Sequence, residues 1–130
     1  MKSIFKIGDQ RVFEKAVTKS DLAVFENDSV HDVYGTFALG RDAEWSSRLF
    51  VLEMKDVEEE GIGTFLNIVH KSPALLGHIV HFTATIYNLD KNNIDCEVIA
   101  RVGDRIIADC KTGQKIIPKA KLNLLFESLK

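Results

Sequence analysis

Three polar residues carry the most chemical potential in this sequence: Thr36, Glu44 and His70. A carboxylate serves as base or nucleophile, an imidazole with an ordinary pKa of about 6.5 moves protons at neutral pH, and a hydroxyl orients a water or attacks directly. Together they form a set able to hydrolyse an acyl compound. Thr36 stands where a helix begins, and the free N–H groups of a helix N-terminus suit a developing oxyanion or a phosphate. Each residue also has a structural reading: a helix cap for Thr36, a solvated side chain for Glu44, a hydrogen-bonded core or edge residue for His70. Spacing alone does not bring Glu44 and His70 together, and function is argued from an assembled site.

The elements that must position these residues are readable to different degrees. From Thr36 to Met54 apolar residues recur as Ala38, Leu39, Ala43, Trp45, Leu49, Phe50 and Leu52, which predicts a helix. The same period sets Gly40, Glu44 and Ser47 in a second stripe beside the apolar one, so a carboxylate borders the buried face. The helix is expected to end before Glu58-Glu59-Glu60, read as a solvated loop, and the turn signal Gly61-Ile62-Gly63. Thr64 to Val69 then form a strand leading to His70, which Pro73 interrupts or places at an edge. Ile79 to Asn88 alternates cleanly, and Asp90-Lys91-Asn92-Asn93 turns into the clearest period of two in the chain, Ile94 to Val102. Gly103-Asp104 fits a two-residue hairpin turn, and the returning strand Arg105 to Ile117 stops at Pro118. Lys119 to Leu129 reads as a short amphipathic helix, a surface brace whose Lys119 and Lys121 are candidates to lie near a phosphate. In the first third, residues 4–18 alternate weakly and Ser20-Asp21 opens a short helical turn reaching Phe25.

One long helix ahead of a run of antiparallel strands predicts an α+β domain in which the sheet wraps the helix. Such a sheet leaves an edge or a face to bury, and dimerisation is the commonest solution, so a homodimer is expected.

Composition narrows the partners. The chain has 130 residues, 17 Lys+Arg against 19 Asp+Glu and a net charge of −2, which offers no electrostatic footprint for nucleic acid. Apolar runs are far shorter than the ~18–20 residues of a membrane span, and Met1 to Lys6 has no apolar stretch behind its basic start; a soluble, cytoplasmic protein is expected. Nothing marks a linker or a repeat, so residues 1–130 read as one domain. Cys96 and Cys110, without a CxxC or a partnering His set, read as buried small apolar residues. His70, His78 and His81 do not make a metal site, because positions three apart on a strand face opposite sides. Trp45 reads as core or interface packing, and Gly77 as a turn requirement.

The segments Tyr34-Gly35-Thr36-Phe37, Glu44-Trp45, Gly61-Ile62-Gly63-Thr64, Ile68-Val69-His70 and Pro73-Ala74-Leu75-Leu76-Gly77 resemble the hotdog-fold acyl-CoA thioesterase family that includes fluoroacetyl-CoA thioesterase. Their spacings agree without gaps, with eight residues from Thr36 to Glu44, 26 from Glu44 to His70 and seven from His70 to Gly77. The similarity runs from about Val30 to the C-terminus. It implies a hotdog dimer with active sites near the subunit interface, hydrolysing an acyl-CoA and needing no cofactor, since CoA is part of the substrate. It further implies that Thr36, Glu44 and His70 are the catalytic set and that Gly63 lies beside the acyl group. Glu44 would attack the carbonyl or activate a water, His70 would manage proton transfer and contact substrate, and Thr36 would orient the carboxylate or the substrate.

Two departures bear on the acyl group. Gln114, with Lys115 next to it, stands where the fluoroacetyl-specific enzyme has an arginine near the acyl pocket. Asn27 and Val30, with Phe25 and Tyr34 nearby, take the positions of its lid phenylalanines. A general short-chain acyl-CoA is therefore the expected substrate, with Gln114 among the substrate-binding residues. Two other functions compete: a non-catalytic acyl-CoA-binding sensor, which keeps the pocket and loses the chemistry, and an enoyl-CoA hydratase, whose characteristic Asp and His pairing after the central helix is missing.

Overall fold

The computed structural model describes residues 1–25 and 28–130. Its main sheet is antiparallel, in the order β1-β5-β6-β7-β4, from β1 (Gln10–Ala16), β4 (Glu59–His70), β5 (Ile79–Asp90), β6 (Asn93–Val102) and β7 (Arg105–Pro118). Helix α1 (Thr36–Met54) packs on one face of it. Strands β5 and β6 alternate buried and half-buried side chains as their sequence alternates, and the buried set includes Val80, Phe82, Ala84, Cys96 and Val98. Against these α1 sets Leu39, Ala43, Phe50, Val51 and Met54, each at most 1% exposed. This is the expected α+β arrangement of a sheet around one central helix.

The helix runs over the predicted span, with Gly35 as its extended N-cap and Thr36 as its first helical residue. Trp45 and Leu52, grouped with the apolar stripe, lie off the buried face at 41% and 42% exposure, so Trp45 is not core within the protomer. Gly77 and Gly103 do take left-handed turn conformations, at φ +88° and +57°. Cys96 and Cys110 are buried and free, and burial pushes their thiols up to about 12 and about 11.

Three expectations are corrected. The helical turn expected to reach Phe25 is a single 3₁₀ turn, Lys19–Asp21, and the chain is extended from Leu22 onward. There β2 (Leu22–Phe25) forms a separate hairpin with β3 (Asp28–Tyr34), a strand that was not anticipated because its residues do not alternate. Strand β4 starts at Glu59, five residues before Thr64, so Glu59, Glu60 and Gly61-Ile62-Gly63 are ladder residues paired with the end of β7. The glycines read as a turn mark close approach of α1 to the strand instead: a Cβ on Gly61 would collide with Val51, and Glu60 is half-buried in an ion pair with Arg48 at 3.0 Å. Lastly, the closing helix α2 (Lys119–Ser128) half-buries Leu122 but leaves Leu124, Leu125 and Phe126 at 73%, 50% and 50% exposure, so most of its apolar side stays open on the protomer.

Candidate active site

Helix α1 runs antiparallel to β4, and two pairs of residues meet along their contact. At the start of the helix, Thr36 Oγ1 lies 2.9 Å from Nδ1 of His70, the last residue of β4. The other ring nitrogen, Nε2, is buried and has no hydrogen-bond partner among the described residues. Burial holds the His70 imidazole below its ordinary pKa of 6.5, with the Ser72 main chain pulling weakly the other way, so the ring is neutral at pH 7.

Two turns further along, the half-buried Glu44 carboxylate rests on Gly63 of β4. A Cβ at that position would lie 2.8 Å from Glu44 Oε1, so only glycine leaves the carboxylate where it is. Gly63→Ala is expected to displace it and lower turnover about 10- to 100-fold while the melting temperature changes little. Steady-state kinetics beside a thermal melt checks this; unchanged turnover would separate the carboxylate's position from the chemistry.

Gln114 shares a rung of the β4–β7 ladder with Gly63 and is buried beneath the helix, 2% exposed. Its Nε2 donates to the Glu44 main-chain oxygen at 3.3 Å and to Ser47 Oγ at 3.2 Å. Asn27 lies outside the described residues, as do the side chains of Phe25 and Val30, whereas Tyr34 is fully buried and donates to Asp42.

Within one protomer the two pairs stay apart. Eight residues of helix advance about 12 Å, and seven residues of strand span about 23 Å. Between them, Gly40 is filled by the Ile68 side chain, whose Cδ1 would lie 2.6 Å from a Cβ there. Glu44 opens onto a groove of about 440 Å³ between α1 and β4, lined by Phe37, Arg41, Trp45, Arg48 and Leu66. Thr36 opens onto a different hollow of about 480 Å³ against β2, lined by Leu22, Ala23, Val24 and Ala38. Phe37, 90% exposed, borders both.

Of the other histidines, His78 Nδ1 accepts from the Leu75 N–H at 2.9 Å, and His81 lies 3.2 Å from Glu14. Among the described residues no group of three potential ligands could hold a metal ion. Nor is any described helix long and apolar enough to cross a membrane. Sequence reasoning missed Ser47 and Thr112 as partners of the Glu44 segment; Ser47 stands out only as a hydroxyl in the Glu44 stripe, and Thr112 by no signal.

Comparison with known proteins identifies the family and the fold. The family model described as FlK, fluoroacetyl-CoA-specific thioesterase, matches residues 17–120. A Thermus thermophilus hypothetical protein, described as a thioesterase superfamily member, is 32% identical with a TM-score of 0.90, covering 95% of this chain and 92% of its own. A single-residue variant of FlK itself superposes with a TM-score of 0.88 at 17% identity, over 99% of this chain and 100% of that one. A hot-dog-like protein from Thermanaerovibrio acidaminovorans gives 0.88 at 18% identity, over 97% and 94%. The last two likenesses establish the hotdog fold. No curated protein matches the chain. With the family model spanning most of the sequence and a thioesterase-superfamily relative aligned along nearly all of it, this chain belongs to the FlK fluoroacetyl-CoA-specific thioesterase family and is a thioesterase.

Proposed function

We propose that this thioesterase hydrolyses a short-chain acyl-CoA to the free acid and CoA, in the cytoplasm and without a cofactor, at a site carried by Thr36, Glu44 and His70. The observation that supports it most directly is the pair of prepared groups: a neutral imidazole fixed by Thr36 with its second nitrogen unused, and a carboxylate set over a glycine. Structures of FlK variants have been solved with fluoroacetate and CoA and with acetyl-CoA, which supports a CoA thioester here. Gln114 is buried beneath α1 and lines neither hollow, so this position offers an acyl group no fixed charge, which favours an ordinary acyl group over a fluorinated one.

The working unit we propose is a homodimer formed through β4. It is an edge strand, and its middle, Gly63 to Asn67, is exposed, with Phe65 and Leu66 at 43% and 40%. Antiparallel pairing of β4 with its copy about Phe65 would oppose Glu60 to the partner's His70. Gly63 would face the partner's Asn67, three residues and about 10 Å along the strand from the partner's His70. That is less than half the distance along the strand from Gly63 to His70 of the same chain, so each site takes Glu44 and Gly63 from one chain and Thr36 and His70 from the other.

In this site a C–O bond forms at the thioester carbonyl, the C–S bond breaks and the sulfur leaves as the CoA thiol with a proton. Glu44 adds to the carbonyl and water then opens the acyl-Glu44 anhydride, or Glu44 removes a proton from the water that adds; His70, neutral at rest, takes up a proton released from water at Nε2 and returns it to the departing CoA sulfur, and Thr36 holds the ring. A neutral His70 is needed, so activity falls as acid protonates it, and burial puts that loss below pH 6.5. The acid limb of kcat/KM is therefore expected below 6.5, and a limb above it would exclude His70 as the titrating group.

The direct test is CoA release, followed with a thiol reagent, on acetyl-, butyryl-, hexanoyl- and benzoyl-CoA. Turnover that is fastest on a short acyl chain is expected. Tight binding of CoA esters without turnover on any of them would make the protein an acyl-CoA sensor.

A further inference from the structure

We propose that Gln114, Ser47 and Thr112 form a buried positioning device that sets the height and rotation of α1 at Glu44; this rests on the reading of Glu44 as the catalytic carboxylate. The helix–sheet contact around them is apolar, made by residues such as Ala43, Phe50, Cys96, Cys110 and Ile116. Apolar contact is non-directional and tolerates small slides of a helix over a sheet. Hydrogen bonds do not, and three polar side chains sit in this layer at 2% exposure or less.

Their connections converge on one atom. Ser47 Oγ donates its only proton to the Glu44 main-chain oxygen at 2.9 Å, and its lone pairs accept from Thr112 Oγ1 at 2.8 Å and Gln114 Nε2 at 3.2 Å. The hydroxyl is thereby fully used. Gln114 Nε2 also reaches the Glu44 oxygen directly, at 3.3 Å. That carbonyl is held by two side-chain donors, one on its own helix and one on β7. The rung that provides this hook, Gly63–Gln114, also provides the glycine on which the carboxylate rests. Hook and hole lie opposite each other across one pair of strands, so the main chain and the carboxylate of Glu44 are located from the same place.

The arrangement has a stability cost. Because the Ser47 proton is committed to Glu44, the Gln114 amide must turn its NH₂ toward Ser47. Its Oε1 is then left buried, with no partner among the described residues. An apolar side chain of the same shape would avoid that unpaired acceptor. A polar group retained against its own stability is expected where position matters to function.

The test uses near-isosteric variants in the full chain: Gln114→Met and Thr112→Val, with Thr112→Ser as the conservative rescue. We expect kcat to fall about 10- to 100-fold with KM within about twofold, as for a displaced reacting group. The melting temperature should stay level or rise in Gln114→Met, and Thr112→Ser should restore kcat. Full kcat in both Gln114→Met and Thr112→Val, beside an inactive Glu44→Gln, would overturn the positioning role alone. A loss of kcat that merely follows unfolding at the assay temperature, or that Thr112→Ser fails to rescue, would also overturn it. Activity retained by Glu44→Gln would instead remove the catalytic assignment on which the device depends.

Discussion

Mixing Glu44→Gln protomers with His70→Ala protomers is expected to restore about a quarter of parental turnover, since random exchange makes half the dimers mixed and each mixed dimer has one intact site. Each variant alone should lose about 10²- to 10⁴-fold, the usual contribution of a positioned acid–base group. In a mixed dimer one site combines both lesions, and the other combines the sound Glu44 of one chain with the sound His70 of its partner. The expectation comes from placement: Glu44 on Gly63 and Thr36 on His70 are separate pairs on one protomer, with Ile68 seated in the gap at Gly40. The measurement is CoA release after co-refolding at equal amounts, with the unmixed variants treated identically. Recovery near zero, with exchange confirmed by two distinguishable tags, would mean that both pairs act within one chain and that β4 pairing does not build the site.

Arg41→Met is expected to destabilise the protein by about 3 kcal/mol, the low end of the range for removing one partner from buried ions, because half of the Arg41 side chain remains in water. Arg41 Nη2 lies 2.9 Å from Asp21 and 3.0 Å from Asp42, and these two carboxylates are 1% and 5% exposed. Asp21 also accepts from the Thr18 N–H at 2.9 Å and the Thr18 hydroxyl at 2.8 Å, and Lys15 stands 3.4 Å away. Burial opposes its charge, yet these partners prevail and hold the carboxyl at about 2, below the ordinary 3.8. A lowered carboxylate contributes stability that is complete above its unfolded pKa and lost on acidification, so this contribution disappears between about pH 4 and pH 2. Methionine keeps the apolar stem and removes the fork, leaving two neighbouring carboxylates with only Lys15 against Asp21. Urea unfolding at pH 7 reads the loss. Arg41→Lys should recover only part of it, because one ammonium does not span both carboxylates as a guanidinium does. The Asp21 main-chain oxygen accepts from the Gly35 N–H at 2.8 Å, so hydrogen exchange there should quicken as the 3₁₀ turn loosens from the start of α1. An unchanged urea midpoint would show the fork to be dispensable.

Strong local signals carried much of the architecture. The period of α1 and the alternation of β5 and β6 are properties of consecutive residues, and burial on one face follows from them without knowledge of the partner surface. The glycines of β4 were misread because a glycine in isolation signals a turn, whereas its use here depends on Val51 and Glu44 arriving from a helix. Strand β3 was missed for a related reason: Asp28 to Tyr34 is extended by pairing with β2 and not by its own alternation. At the candidate site the residue types were legible, and the matched spacings of Thr36, Glu44 and His70 carried the family resemblance that the family model bears out. The sequence by itself therefore determined the α+β class, the central helix and the chemical inventory, since each depends on short-range order. Only the tertiary structure decided that Thr36 meets His70, that Glu44 rests on Gly63, and that Gln114, Ser47 and Thr112 close on the Glu44 carbonyl. Those contacts join residues up to 70 positions apart, and their geometry is fixed by strand register and helix height, which no local pattern encodes.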